Sequence, residues 1–301
     1  MKLVFLGTSA AQPTKHRGMS CMCLVREGEI IMFDVGEGTQ MALQNSGLGW
    51  NKKMKIFVTH MHGDHCIGLL GLLQTMALRG RSREIKIYGP TGIVDFLKSN
   101  TTVLNFNPSF PIIISEINDE LVDSEKQYDI LCCAAEHSVS AYSYLFIEKD
   151  KPGSFDAKKA DKMKIPDGVV RGKIKSGLDI EVDGKLIKSS ELVGPTKKGI
   201  RIGISGDTRP TKQLEEFFSK CDYLIFESTF SDENEDRAKE TGHSTAKEAG
   251  ILAKKSQVKH LILTHFSTRY TDVSELVSEA KAEHESVVAA EDYLEIKISN
   301  E

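Results

Sequence analysis

The sequence predicts an α/β fold, because short apolar segments typical of strands alternate along the chain with longer segments typical of helices. Strands are predicted at residues 2–6, 24–25, 30–33, 55–59, 84–88, 130–135, 141–148, 200–205, 223–226 and 260–264. Helices are predicted at residues 66–78, 212–219 and 245–255, and residues 106–114, with two prolines, are predicted to be irregular or an edge strand.

Composition excludes several classes of protein. The 301 residues are 40% hydrophobic and 27% charged, as expected for a folded globular chain. No apolar run approaches the roughly 18 residues of a membrane span, and the apolar start of the chain is too short for a signal peptide. The net charge of −4 excludes a protein that grips nucleic acid with its whole surface. The six cysteines, without an export signal, predict reduced thiols and a cytoplasmic protein.

Residues 149–177 differ in character from the rest of the chain. They hold nine Lys or Arg residues against four Asp residues, together with several Gly and Pro residues and little that could be buried. A solvated loop is one interpretation of this segment. The other is an arm that contacts an anion, because its charge is opposite to that of the remaining chain.

A dense group of histidines follows the strand predicted at residues 55–59. His60 and His62 are two residues apart, so in an extended segment they face the same point. Gly63 allows a turn that directs Asp64 and His65 toward a neighbouring point. Neutral imidazole and carboxylate groups are ligands of zinc and similar divalent ions, so the segment predicts a metal site.

One cluster cannot complete two metal shells, so further ligands must come from elsewhere in the chain. The candidates lie just past the ends of predicted strands: His137, Asp207 and His265. The segments that end at His60 and His265 are both apolar strands closing on Thr-His, which predicts that each half of the chain delivers a ligand from a strand end.

The sequence resembles the metallo-β-lactamase superfamily and, within it, the ribonuclease Z family of tRNA 3′-processing endonucleases. His60-Met61-His62-Gly63-Asp64-His65 fits the superfamily's His-x-His-x-Asp-His signature. The more specific matches are the segments Phe5-Leu6-Gly7-Thr8, Pro13-Thr14-Lys15-His16-Arg17, Phe33-Asp34-Val35-Gly36-Glu37-Gly38-Thr39-Gln40, Ile87-Tyr88-Gly89-Pro90-Thr91-Gly92, Ser205-Gly206-Asp207-Thr208-Arg209, Phe226-Glu227-Ser228-Thr229-Phe230 and Gly242-His243-Ser244-Thr245.

This resemblance implies a four-layer αββα sandwich, formed by a single domain over residues 1–301 with a flexible tRNA-binding arm inserted at 149–177. It also implies two zinc ions. One zinc would be held by His60, His62 and His137. The other would be held by Asp64, His65 and His265, with Asp207 bridging both ions.

The resemblance further implies the reaction. A family member cuts precursor tRNA after the discriminator nucleotide and leaves a 3′ hydroxyl on the tRNA and a 5′ phosphate on the trailer. Asp64 would accept the proton of the attacking water, and His243, helped by Glu227, would protonate the leaving oxygen. Family members are usually homodimers in which the arm of one subunit presents RNA to the site of the other.

Basic residues are candidates for RNA contacts, and they lie in the arm and near the first turn: Lys158, Lys159, Lys162, Lys164, Arg171, Lys173, Lys175, Lys15 and Arg17. Two positions depart from the family pattern. Gly18 stands where the family often has Asn, and Asp167 stands where a second proline is common. Cys21, Cys23, Cys66, Cys132 and Cys133 are interpreted as small core residues rather than metal ligands, because apolar segments flank them.

Two other functions are compatible with parts of the pattern. A superfamily hydrolase of small phosphodiesters, sulfate esters or thioesters would share the metal site, but the basic arm argues against it. An RNA-binding protein without catalysis would share the arm, but it predicts a broken ligand set, and all seven ligand positions are filled.

Overall fold

The computed structural model describes residues 1–182 and 184–298, so the predicted domain also includes residues 183 and 299–301, which lie outside the described residues. The strands are β1 (Lys2–Gly7), β2 (Cys21–Arg26), β3 (Glu29–Phe33), β4 (Lys53–Phe57), β5 (Ile85–Gly89), β6 (Ile112–Glu116), β7 (Leu121–Ser124), β8 (Tyr128–Ala135), β9 (Ala141–Glu148), β10 (Ile180–Val182), β11 (Lys185–Ile187), β12 (Arg201–Ile204), β13 (Tyr223–Glu227), β14 (His260–Thr264), β15 (Val287–Ala289) and β16 (Glu295–Lys297).

The helices are α1 (Thr39–Ser46), α2 (Gly63–Cys66), α3 (Gly68–Leu78), α4 (Ile93–Val103), α5 (Ala157–Lys162), α6 (Val169–Lys175), α7 (Lys212–Phe217), α8 (Glu235–Thr241), α9 (Ala246–Lys255) and α10 (Ser274–Glu283). The best-capped of these helices is α9, because Thr245 and Glu248 form a reciprocal capping box at its start.

Two seven-stranded sheets form the centre of the described molecule. Their strand orders are β16-β1-β2-β3-β4-β5-β6 and β15-β14-β13-β12-β9-β8-β7. One apolar cluster, including Phe33, Phe57 and Tyr144, lies between the sheets, and separate clusters join each sheet to its outer helices. All five residues of β3 are buried, and residues 30–33 form a continuous apolar run. The arrangement is the α/β/β/α sandwich that the resemblance implied.

Parallel strands in each sheet bring their carboxyl ends to one edge of the sandwich. β3, β4 and β5 are mutually parallel, and so are β12, β13 and β14. Isolated bridges join Ser9 to Phe266 and His60 to Ala141, so the loops at this edge connect the two sheets. Loops at the carboxyl ends of parallel strands are where α/β proteins build their sites.

Most of the predicted strands and helices are confirmed, with their ends shifted by a few residues. The helix predicted at 66–78 is instead two helices, α2 and α3, separated at Ile67. The strand β6 lies at a sheet edge, as predicted for the proline-containing segment. Helices α1, α4, α8 and α10 and strands β7, β15 and β16 were not predicted from the sequence.

The prediction that the basic segment contains little to bury is wrong. Between β9 and β12, the chain forms helices α5 and α6 and the hairpin β10–β11. Five apolar residues pack there into a small core: Ala160, Ile165, Ile174, Ile187 and Leu192. The insertion therefore continues past residue 177 to residue 200. The sequence obscured this core because its members are isolated residues among lysines and come from both halves of the insertion.

A buried ion pair connects the two sheets at the edge opposite the parallel strand ends. The Lys55 side chain, on β4, is 1% exposed and contacts Asp123 of β7. Its ammonium group also donates to Glu125 at 2.6 Å, and this hydrogen bond lowers the pKa of Glu125 to about 2. Lys53, which also pairs with Glu125, is 50% exposed.

We predict that Lys55→Met lowers the free energy of unfolding by about 3–5 kcal/mol, because it leaves the Asp123 carboxylate buried without its cation. The matched variant Lys53→Met should cost less than about 1 kcal/mol, because Lys53 is half exposed and its buried partner Glu29 keeps its contacts with Arg26 and Tyr128. Urea unfolding of both variants measures the difference. Equal losses in the free energy of unfolding would show that the buried ion pair stabilises the protein no more than the exposed one does.

Candidate metal centre and active site

The histidine cluster follows β4 and continues into α2. His60 lies three residues beyond the end of the strand, His62 immediately precedes α2, and His65 lies within it. Backbone hydrogen bonds join α2 and α3 to the loop after β3: Val35 donates to the His65 carbonyl and Gly68 donates to the Val35 carbonyl. A side chain at Gly68 would clash with the Gly36 carbonyl, with its Cβ at 1.9 Å, so this close approach requires glycine.

The structure brings all seven predicted ligands together. Two groups form, and within each group the candidate ligand atoms lie within 4.8 Å of one another. The first group is His60, His62, His137 and Asp207, and the second is Asp64, His65, Asp207 and His265. Asp207 belongs to both groups, which is the position that the resemblance implied for a bridging carboxylate.

Imidazole nitrogens face one another inside each group. The Nδ1 atom of His62 lies 3.0 Å from Nε2 of His60 and 3.2 Å from Nε2 of His137. In the second group, Nε2 of His65 lies 3.3 Å from Nε2 of His265. Within the described part of the chain, the buried Oδ1 atom of Asp207 has no hydrogen-bond partner. Converging lone pairs and an unsatisfied carboxylate oxygen fit divalent metal ions.

The outward-facing nitrogens of four ligands are held by hydrogen bonds. Nδ1 of His65 donates to Asp34 at 2.8 Å, and Nδ1 of His137 donates to the Gly242 carbonyl at 2.8 Å. Nδ1 of His60 lies 3.0 Å from the Thr59 hydroxyl, and Nδ1 of His265 lies 2.9 Å from the Thr229 hydroxyl. These contacts place the proton on Nδ1, so Nε2 of each ring keeps its lone pair for a metal ion.

Asp34, Thr59 and Thr229 are functional residues that sequence reasoning missed. Asp34 is buried after β3, and its oxygens accept hydrogen bonds from the Thr59 backbone and hydroxyl as well as from His65. The Thr229 hydroxyl donates to Glu227 at 2.6 Å, which leaves its lone pairs for His265. Their positions in the sequence could have identified them, because each of these residues lies within two residues of the end of a buried strand.

Burial and neighbouring charges shift the pKa values of individual ligands in different directions, and the charges of Asp207 and Asp34 outweigh burial to raise the pKa of His65 well above its usual value. Burial, reinforced by neighbouring His65, lowers the pKa of His60 to about 2, so its ring is neutral. Burial opposes ionisation of Asp64, but the neighbouring rings of His265 and His65 outweigh it and hold the Asp64 pKa well below its usual range. Asp64 also accepts a hydrogen bond from the Ala11 backbone at 2.9 Å.

His243 lies beside the cluster in the loop between α8 and α9. Its Nδ1 atom is 2.9 Å from the buried Glu227 carboxylate and 3.9 Å from Asp207. Burial disfavours the protonated ring, but the charge and hydrogen bond of Glu227 prevail and raise the His243 pKa to about 9. His243 therefore carries a proton at neutral pH, and its Nε2 atom is the one that remains free of Glu227.

Arg209 is a further residue to which no role was assigned from the sequence. Its guanidinium group donates to the His243 carbonyl and pairs with Glu248, and its backbone donates to the Glu136 carbonyl. It therefore joins the His243 loop to the segment that carries His137.

The basic residues predicted to contact RNA fall into two sets. Lys158, Lys162, Lys164, Lys173 and Lys15 are exposed and carry no side-chain partner among the described residues. The others are engaged within the protein. Lys159 donates to the Glu191 carbonyl, Arg171 pairs with Asp161, and Lys175 lies over the Phe155 ring. Arg17 donates to the Ser267 and Tyr270 carbonyls, which gives it a structural role.

The two departures from the family pattern have local explanations. The Gly18 backbone donates to Asp292 at 2.6 Å, and a Cβ atom at Gly18 would lie 3.3 Å from that carboxylate. Asp167 is exposed and accepts a hydrogen bond from the Gly168 backbone. The interpretation of the cysteines as core residues is confirmed, since all six are free and buried.

Comparison with known proteins extends these observations. Residues 1–104 match the protein family described as Anti-Pycsar protein Apyc1. The chain is 56% identical over 298 residues to ribonuclease Z of Nitrosopumilus maritimus, covering 99% of this chain and 100% of that protein. Its structure matches the short form of human tRNase Z with a TM-score of 0.74 and 30% identity, over 99% of this chain and 100% of that one.

The fold alone has a wider distribution. The metallo-β-lactamase fold protein YhfI from Bacillus subtilis matches with a TM-score of 0.71 at 17% identity, over 98% of this chain and 99% of that one. Among the described residues, helices are too short or too polar to cross a membrane.

The sandwich and its His/Asp cluster define a metal-dependent hydrolase of the metallo-β-lactamase fold. Within that class, the full-length similarity to ribonuclease Z and tRNase Z places the chain among the nucleases. The chain belongs to the ribonuclease Z family.

Proposed function

We propose that this protein is an endoribonuclease that removes the 3′ trailer from precursor tRNA. It cuts after the discriminator nucleotide and leaves a 3′ hydroxyl on the tRNA and a 5′ phosphate on the trailer. The observation that carries this proposal is the complete set of seven converging His and Asp ligands in a chain of the ribonuclease Z family.

The proposed metals are two zinc ions per subunit. His60, His62 and His137 would hold one ion and Asp64, His65 and His265 the other, and Asp207 belongs to both groups of ligands. The nitrogen and oxygen donors and the four-ligand groups suit zinc. When bound, such ions supply positive charge that stabilises the negative charge developing on the phosphate.

The remaining steps are assigned to the chain's own residues. Asp64 is ionised and accepts the proton of the attacking water. His243, held by Glu227 and protonated at neutral pH, donates a proton to the leaving 3′ oxygen. A ribose oxygen is a poor leaving group without that proton, so His243 acts as the general acid and Glu227 as its positioning residue.

Binding of the tRNA is assigned to the arm. The four exposed arm lysines, Lys158, Lys162, Lys164 and Lys173, form a basic surface without internal partners among the described residues. Phosphate contacts of this kind supply most of the affinity of a protein for nucleic acid.

The position of the arm supports a homodimer. Strand β9 begins at Ala141, bridged to His60, and ends at Glu148, where the arm starts. Because a strand rises about 3.3 Å per residue, the length of β9 puts the start of the arm roughly 23 Å from the metal cluster. We propose that each arm serves the site of a second subunit.

The single domain over residues 1–301, with its inserted arm, remains part of the proposal. The observed insertion between β9 and β12 extends the predicted boundary of 149–177. Limited proteolysis that releases two stable fragments of the sandwich would contradict a single domain. The six free thiols favour a reducing compartment, and we propose the cytoplasm, which microscopy of the tagged protein in its native cells can test.

The decisive experiment is cleavage of labelled precursor tRNA by the purified protein, with mapping of the cut. We predict a single cut after the discriminator nucleotide that is abolished by a chelator and restored by added zinc. Efficient hydrolysis of a small phosphodiester without tRNA cleavage would instead identify a small-diester hydrolase.

We predict that His243→Ala lowers precursor tRNA cleavage by about 10²–10⁴-fold, because the 3′ oxygen then leaves without a proton. Hydrolysis of bis(4-nitrophenyl) phosphate should change by less than about threefold, because nitrophenolate needs no general acid. Comparable losses on both substrates would assign His243 a structural role instead.

Simultaneous replacement of Lys158, Lys162, Lys164 and Lys173 by alanine should abolish tRNA cleavage but spare the small diester. The matched control replaces four exposed lysines outside the arm: Lys98, Lys126, Lys212 and Lys281.

Mixing the arm variant with His243→Ala then tests the dimer. Mixed dimers join an intact arm to an intact site, so roughly a quarter of the wild-type activity should return. No recovery in subunits shown to exchange would mean that each arm serves its own site.

A further inference from the structure

A groove of about 490 Å³ opens beside His243 and borders the metal cluster, because its lining residues Ala11 and Thr229 contact Asp64 and His265. One wall is the turn containing Ala11 and Gln12, and the other contains Thr268 and Arg269. Gln12 donates to the Thr268 hydroxyl at 3.1 Å, which joins the two walls. We name this cavity the Arg269 groove.

The guanidinium group of Arg269 lies over an aromatic ring. It lies 5.1 Å from the centre of the Phe230 ring, and Phe230 is only 6% exposed. Nη1 of Arg269 donates to Asn234 at 2.8 Å, and the Asn234 amide donates in turn to Ser231 and Tyr270. Phe230 and Asn234 therefore hold the guanidinium group, and Arg269 remains an exposed residue that lines the groove.

The charge of the groove suits a nucleotide. Among the described residues that line it, none is acidic, and Arg237 adds a second guanidinium group. A volume near 490 Å³ lies in the range of small-molecule sites, and guanidinium planes are surfaces on which nucleobases stack.

The position of His243 determines which nucleoside enters. This step rests on the proposed function, in which His243 protonates the 3′ oxygen of the nucleotide that the tRNA keeps. His243 lines the Arg269 groove, so the nucleoside bearing that oxygen lies on this side of the cut. We propose that the groove is the subsite for this last retained nucleoside and that Arg269 stacks on its base.

The same contacts limit how the base is recognised. The Gln12 amide is engaged with Thr268, and an Arg269 amino group is engaged with Asn234. Any of the four bases can stack on a planar cation, because every base has a π-face. Substrates that differ only in this nucleotide should therefore have kcat/KM values within about threefold of one another.

The test combines protein variants with a precursor tRNA that lacks only this base. Arg269→Leu should lower kcat/KM on intact precursor tRNA about tenfold, and removal of the base should cost the wild-type enzyme about the same. The kcat/KM of Arg269→Leu on the abasic substrate should be no lower than the kcat/KM measured with either change alone. Arg269→Lys, which keeps the charge without the plane, should behave like Arg269→Leu.

The matched control is Arg79→Leu, which removes an arginine stacked 4.7 Å from the Trp50 ring and outside the groove, and it should cleave both substrates as the wild type does. Independent losses from the variant and the abasic site, no loss from Arg269→Leu, or full activity of Arg269→Lys would each overturn the stacking proposal. Failure of the wild-type enzyme to cut intact precursor tRNA would instead overturn the proposed function.

Discussion

Asp207 is the constraint on which the rest of the site depends. Its carboxylate is 2% exposed, and it belongs to both groups of candidate ligands. Burial opposes its ionisation, yet the surrounding histidines, with His265 and His65 foremost, hold its pKa well below the usual range. A buried carboxylate is costly without positive charge beside it, and cations bound by this cluster would supply such charge. The sandwich makes the arrangement possible because strand ends from both sheets meet around this one residue.

The two halves of the site use the same device to orient their ligands. Asp34 and Thr59 hold His60 and His65 in one half, and Glu227 and Thr229 hold His265 in the other. In both halves a buried carboxylate accepts a hydrogen bond from the threonine hydroxyl, and the oxygen of that hydroxyl faces an imidazole nitrogen. Glu227 additionally holds His243, so one carboxylate serves both a metal ligand and the proposed general acid. Orientation of the metal and of the leaving-group proton is therefore coupled through a single buried side chain.

The arm and the metal cluster lie at opposite ends of strand β9. The arm leaves from the end of β9, and the metal cluster lies near its start. The arm keeps its shape through its own core, with Ile165 and Ile174 buried inside it. Its exposed lysines therefore sit on a folded support rather than on a solvated loop. The Arg269 groove lies at the catalytic end and would contact the nucleotide adjacent to the cut.

The sequence by itself determined most of the strands of the two sheets, the spacing of His60, His62 and His65, and, through its motifs, the family. These features are local, because alternation and short motifs are encoded by neighbouring residues. Only the tertiary structure decided that His137, Asp207 and His265 meet the cluster, that Asp34 and Thr229 orient it, and that Arg17 is occupied by carbonyl groups. The physical reason is that which strand ends become neighbours depends on how two sheets pack and order their strands, and that order is set by contacts between residues far apart in the chain.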